Sequence, residues 1–136
     1  MGALRAVLFD LDGTLADTAP DLARALNRLR AERGLDPMPL ASTRRHTSNG
    51  ARGMLGVGLG LTPVDAGYAG LRERFLDLYE EGLCIETRMF DGIPALLAQL
   101  EAGGLPWGIV TNKPKRFTEP LVRRLRSTPR SAPPAS

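Results

Sequence analysis

The chain opens on a short apolar run, Leu4 to Phe9, interrupted only by Arg5 and ending at once in Asp10-Leu11-Asp12-Gly13. A run this short, closed by a turn signal, suits a strand buried in a parallel sheet and is too brief for a helix. The chain is thereby committed to sheet packing from its start, with two carboxylates and a glycine on the loop that follows. Side chains two apart along a strand share a side, so Asp10 and Asp12 are expected to face one ligand. Gly13 lets the chain turn away while its backbone stays close to an anion.

Helices and one further strand follow. Thr18 is positioned to cap a helix that Pro20 begins and Gly34 ends, with Leu22, Leu26 and Leu29 on one face. A second helix is expected over Arg44–Leu55, entered through the polar turn Ser48-Asn49-Gly50. Tyr68, Leu71, Phe75 and Leu78 recur at helical spacing and predict a third over Asp65–Glu81, a stripe that reads as core. Asp91-Gly92 turns into a fourth, carrying Ile93, Leu96, Leu97 and Leu100 and closed by Gly103-Gly104. Trp107 to Thr111 reads as a strand. Phe117, Leu121 and Leu125 align on a last helix. Residues 126–136 hold proline and small polar residues with nothing to bury, and are expected to be disordered. Helices set between strands make the fold class α/β.

Composition narrows the functional classes. With 136 residues, 43% of them hydrophobic, the chain can bury one core or two small ones. Its net charge of +3 is uneven, since residues 1–112 carry 11 basic and 14 acidic side chains, whereas seven basic residues and one acid follow from Lys113 onward. Aromatics are few, so this basic end reads as a solvated stretch, and nucleic acid is not expected as a partner. The one cysteine, Cys84, permits no intramolecular disulfide and reads as a small buried side chain in a reducing compartment. No apolar stretch is long enough to span a bilayer, and no secretory pattern surrounds the start. The expectation is a cytoplasmic protein without a membrane partner; its oligomeric state is open.

The paired aspartates suit one chemistry in particular. One carboxylate attacks phosphorus to form an aspartyl phosphate, while a second protonates the leaving oxygen and later deprotonates water. A Mg²⁺ ion held at the attacking carboxylate would screen the negative charges that this brings together. A calcium loop would instead require an acid at Thr14, glycine at Leu15 and glutamate at Asp21, and the sequence has none of these. His46, the single histidine, has no catalytic partner and reads as surface. Lys113 and Lys115 follow a strand and read as solvated.

Phe9-Asp10-Leu11-Asp12-Gly13-Thr14-Leu15 resembles, residue for residue, the first motif of haloacid dehalogenase-like phosphatases. The resemblance implies that Asp10 is the nucleophile and a Mg²⁺ ligand. It implies that Asp12 is the general acid/base, with its backbone carbonyl also on the metal. Trp107-Gly108-Ile109-Val110-Thr111-Asn112-Lys113 looks like the second motif, in which Thr111 hydrogen-bonds the transferring phosphoryl group. Asp17-Thr18-Ala19-Pro20-Asp21, Gly50-Ala51-Arg52, Phe90-Asp91-Gly92 and Thr111-Asn112-Lys113-Pro114 are similar to the phosphoglycolate phosphatase branch. The likeness runs from residue 1 to about residue 125 and adds Asn112, Gly13 and Arg52 as phosphate or substrate contacts.

The architecture so implied is a partial Rossmann-like core from residues 1–16 and 89–125, a small helical cap over 17–88 and a tail over 126–136. The implied substrate is a small phosphorylated metabolite, 2-phosphoglycolate, with N-acetylmuramic acid 6-phosphate as the alternative. In this family a further lysine and an acidic pair lie on later strands that are not in this sequence. The switch to Arg126-Ser127-Thr128-Pro129 leads us to expect a C-terminally truncated chain, its first strand left open to water along one edge and much of one face. The alternative to an active phosphatase is a catalytically dead fragment that serves at most as an interaction module.

Overall fold

The computed structural model describes residues 3–127. Strand β1 (Val7–Phe9) pairs in parallel with β4 (Trp107–Ile109), Val7 lying opposite Trp107, Leu8 opposite Gly108 and Phe9 opposite Ile109. Both strands are shorter than their apolar runs, because β1 has a single partner among the described residues and the chain outside this register finds no ladder to join. One face holds Phe9 in the core, while Leu4, Leu8 and Val110 are 70%, 67% and 60% exposed. A parallel strand is ordinarily buried on both faces; among the described residues only one face of β1 is covered, which agrees with the open face expected above.

Two strands that the sequence did not signal form a second ladder. β2 (Ala16–Asp17) runs antiparallel to β3 (Arg88–Met89), pairing Ala16 with Met89 and Asp17 with Arg88. Two residues are too few for any periodicity to be read. Between them lie helices α1 (Ala19–Glu32), α2 (Leu40–Arg44), α3 (Gly50–Leu59) and α4 (Tyr68–Glu81), with a short 3-10 turn at Thr47–Asn49. After them come α5 (Ile93–Ala102), β4 and α6 (Lys115–Ser127). The chain is therefore α/β, as its pattern predicts.

Helix α1 organises the four inserted helices, packing against α2, α3 and α4 through its buried face of Leu22, Leu26 and Leu29. The helix expected over Arg44–Leu55 is instead divided. α2 ends at Arg44, and α3 starts only at Gly50, whose φ of +58° interrupts any continuous helix. Gly58 on α3 meets α1 so closely that an added Cβ would collide with the Leu26 side chain. α4 begins at Tyr68, later than expected, because Asp65 instead accepts a hydrogen bond from the Thr62 amide at 2.7 Å in the preceding turn. α6 extends through Arg126 and Ser127, two positions assigned above to the tail; the remainder of that tail, from residue 128, lies outside the described residues.

A continuous buried cluster runs from Phe9 and Leu11 through Leu26, Met54 and Phe75 to Phe117 and Leu121. Within it Asp21 is fully buried and satisfied: its carboxylate accepts from the Glu86 amide at 3.1 Å, the Thr87 amide at 3.0 Å and the Thr87 hydroxyl at 2.6 Å. This ties the first turn of α1 to the segment entering β3. Cys84 is half-buried with φ at +58°, and burial raises its thiol pKa above the usual value. Among the described residues no helix is long and apolar enough to cross a membrane.

Candidate active site

The loops leaving β1 and β4 face α3 and α4 across a cavity of about 710 Å³, within the range of small-molecule sites, about 300–1,000 Å³. Asp10, Asp12, Thr111, Asn112 and Lys113 line one side; Ser48 to Gly53 and Arg72 line the other; Phe75 and Tyr79 contribute apolar surface. Asp10 and Asp12 lie past the end of β1, so strand alternation is not what brings them to one cavity. The turn does so: the Leu15 amide donates to the Asp10 carbonyl at 3.2 Å and the Ala16 amide to the Leu11 carbonyl at 3.0 Å.

The two carboxylates differ in surroundings. Asp10 is exposed, and its Oδ1 accepts from the Leu11 amide at 2.9 Å. Asp12 is buried, and its Oδ1 accepts both from Thr18 Oγ1 at 2.7 Å and from Lys113 Nζ at 2.9 Å. The expected capping role of Thr18 is corrected here, since its hydroxyl serves Asp12 and no side chain caps α1. Among the described residues Asp12 Oδ2 accepts no hydrogen bond.

Lys113 is the residue that sequence reasoning misjudged. Its side chain is only 7% exposed and Asp12's 12%, and its ammonium also lies 4.5 Å from the centroid of the Tyr79 ring. Burial pulls its pKa below the usual lysine value, with the Asp12 carboxylate opposing that shift. Lys115, by contrast, is solvated as expected, 3.5 Å from Glu119. No sequence signal separates the two lysines, because the burial of Lys113 comes from Tyr79 on α4. That tyrosine is itself buried, its hydroxyl has no hydrogen-bond partner among the described residues, and burial pushes its phenol well above the usual range.

The remaining candidates are distributed unequally. Thr111 lines the cavity, and its Oγ1 accepts from the Lys113 amide at 3.1 Å, which shapes the loop after β4. Asn112 is exposed on the same wall, and Arg52, in the first turn of α3, is exposed on the opposite one. Gly13 does not line the cavity. Its amide is committed to the Ala16 carbonyl at 2.9 Å, and its φ of +80° makes the turn; a Cβ there would stand 3.2 Å from Ser48 Oγ. His46 is half-buried and lies outside the cavity lining, so it is less of a surface residue than expected. Among the described residues no three His, Cys, Asp or Glu side chains converge as a metal cluster.

The model of haloacid dehalogenase-like hydrolases matches residues 4–130. An N-acetylmuramic acid 6-phosphate phosphatase of Pseudomonas aeruginosa is 48% identical over 128 residues, 94% of this chain and 57% of that protein. A phosphoglycolate phosphatase of Xanthomonas campestris is 44% identical over 121 residues, 89% of this chain and 54% of its own length. The crystal structure of a Lactobacillus delbrueckii protein of proposed phosphoglycolate phosphatase function superposes with a TM-score of 0.77 at 25% identity, covering 91% of this chain and 61% of that one. The chain thus spans little more than half the length of the curated relatives it matches.

Proposed function

Because this chain belongs to the haloacid dehalogenase-like hydrolase family, we propose that it carries the nucleophile end of a phosphomonoester hydrolase acting on a small phosphorylated metabolite. The observation that carries this reading is the gathering of Asp10, Asp12, Thr111 and Lys113 on one cavity wall. In the proposed reaction an Asp10 carboxylate oxygen attacks phosphorus and the ester P–O bond breaks. The departing oxygen takes a proton from Asp12. Water then attacks phosphorus, Asp12 accepts its proton, and the bond to Asp10 breaks to release phosphate. Asp12 Oδ1 is held by Thr18 and Lys113, which leaves Oδ2 as the oxygen to carry the proton.

Thr111 and Asn112 stand where they would hydrogen-bond phosphoryl oxygens, and Gly13 contributes through the turn it makes. Mg²⁺ suits the hard oxygen donors here: the Asp10 carboxylate and the Asp12 backbone carbonyl would hold it together with water, since magnesium commonly takes one or two carboxylates and keeps several waters. When bound, it would neutralise charge on the phosphoryl group. We propose the same division of the chain as above, a core of residues 1–16 and 89–125 with a helical cap over 17–88; the β2–β3 ladder, where the two crossing segments run side by side, supports it.

Among substrates, 2-phosphoglycolate and N-acetylmuramic acid 6-phosphate are the two that the relatives' names suggest. A second reading, substrate binding without turnover, is favoured by the finding that among the described residues no three His, Cys, Asp or Glu side chains gather as a metal site. Phosphate release from 2-phosphoglycolate with and without Mg²⁺, for the wild-type chain beside Asp10→Asn, decides between them. Release that needs both Mg²⁺ and Asp10 supports catalysis; none from the folded chain supports binding alone.

A further inference from the structure

Helix α4 reaches the paired charges of Asp12 and Lys113 through one side chain. Tyr79, in the C-terminal half of α4, is buried and lines the cavity, and its ring centroid lies 4.5 Å from Lys113 Nζ. That ammonium donates to Asp12 Oδ1 at 2.9 Å, the oxygen that also accepts from Thr18 Oγ1 at 2.7 Å. Phe117, buried on α6, packs against the same ring with 5.4 Å between centroids and holds it in place. The Tyr79 hydroxyl has no hydrogen-bond partner among the described residues. What this tyrosine offers Lys113 is therefore its π face, and a cation over such a face is held most firmly where water is excluded.

Building on the phosphatase reading, we infer that Tyr79 is a positioning residue: its ring, rather than its hydroxyl, keeps the Lys113 ammonium on Asp12 Oδ1 and so keeps Oδ2 aimed at the leaving oxygen. A lysine ammonium is a point charge on a flexible stem, and a single carboxylate oxygen does not fix where it stands. The ring closes off that freedom from one side. Without it the ammonium swings away, Asp12 keeps only the Thr18 hydroxyl, and its carboxyl turns about its own bonds. Small displacements of a proton donor lower its contribution steeply. The loss falls on esters whose leaving oxygen needs a proton, and it spares those whose oxygen departs as a stable anion.

The test uses the full chain with Mg²⁺ and two esters of similar shape, phenyl phosphate and 4-nitrophenyl phosphate, of which the second leaves readily without a proton. Tyr79→Leu is expected to lower the ratio of kcat for the first to kcat for the second about tenfold, part of what a well-placed general acid contributes. Tyr79→Phe, which keeps the ring, is expected to keep the wild-type ratio. A ratio unmoved in folded Tyr79→Leu, or lost in folded Tyr79→Phe, overturns the role of Tyr79 and leaves the phosphatase reading standing. Because a smaller side chain in the core can prevent folding, the contact is also read in the wild type. Lys113 and Lys115 are the two lysines of the chain, so ¹³C-lysine labelling gives two ε-methylene signals. The ring current of Tyr79 is expected to place the Lys113 signal upfield of that of the solvated Lys115, and coincident signals overturn the proposal. A folded wild type that releases phosphate from neither ester overturns the phosphatase reading and the role of Tyr79 together.

Discussion

Lys113 Nζ stands 2.9 Å from Asp12 Oδ1 and 4.5 Å from the centroid of the Tyr79 ring, so a single buried cation joins the loop after β1, the loop after β4 and helix α4. Burying an ammonium is costly unless it is paired, and removing either partner strands the other charge. Lys113→Met and Asp12→Asn are each expected to destabilise the chain by about 2 kcal/mol. The double variant Lys113→Met/Asp12→Asn should lie close to wild type, giving a positive coupling in a double-mutant cycle measured by urea denaturation. Additive losses would mean that the pair does not interact in solution.

Asp21 makes a different kind of anchor. Its buried carboxylate satisfies two amides and a hydroxyl of the Glu86–Thr87 segment. Asp21→Ala leaves those donors unpaired in the interior and is expected to cost about 3 kcal/mol in urea denaturation. Hydrogen exchange of the Thr87 amide should accelerate more than that of α6, because the break is local.

The Glu32 carboxylate lies against Arg74, with contacts at 3.0, 3.2 and 2.6 Å that join α1 to α4. Arg74 pulls the Glu32 pKa below its ordinary value of 4.5. A carboxyl with a lowered folded-state pKa contributes stability above its unfolded pKa and loses it as the pH falls through the folded one. The difference in denaturation midpoint between wild type and Glu32→Gln is therefore expected to be positive near neutrality and to vanish below the folded pKa. The pair is exposed, so added salt should shrink that difference too.

Leu8 and Val110 turn outward beside a strand with one described neighbour. An apolar surface of this kind takes up hydrophobic dyes. Leu8→Ser/Val110→Ser should lower the fluorescence of a bound naphthalene sulfonate dye while leaving the circular dichroism unchanged, since neither side chain packs in the core. Unchanged dye binding would place the accessible apolar surface elsewhere.

Much of this was legible in the sequence because the decisive signals were local. The β1 run with its Asp10-Leu11-Asp12-Gly13 turn, the leucine face of α1 and the Phe75 stripe of α4 are each written within one element. What escaped reading depends on packing between distant segments. Lys113 and Asp12 are 101 residues apart, and nothing near Lys113 announces the Tyr79 ring that covers it. The β2–β3 ladder is too short to carry a period. Thr18 has the makings of an N-cap, yet its hydroxyl goes to Asp12, a choice made by tertiary geometry over local preference. The freedom of Gly13 to turn predicts an anion contact, and that same turn commits its amide to Ala16.

The central claim is that Asp10 is the atom-transferring nucleophile, and chemical trapping tests it most directly. The chain is mixed with 2-phosphoglycolate and Mg²⁺, quenched with borohydride, which reduces an acyl phosphate to an alcohol, and its peptides are sequenced by mass spectrometry. The account predicts conversion of Asp10 to homoserine, dependent on substrate and absent in Asp10→Asn. Phosphate release with no reduction at Asp10, or with reduction at another carboxylate, would contradict it.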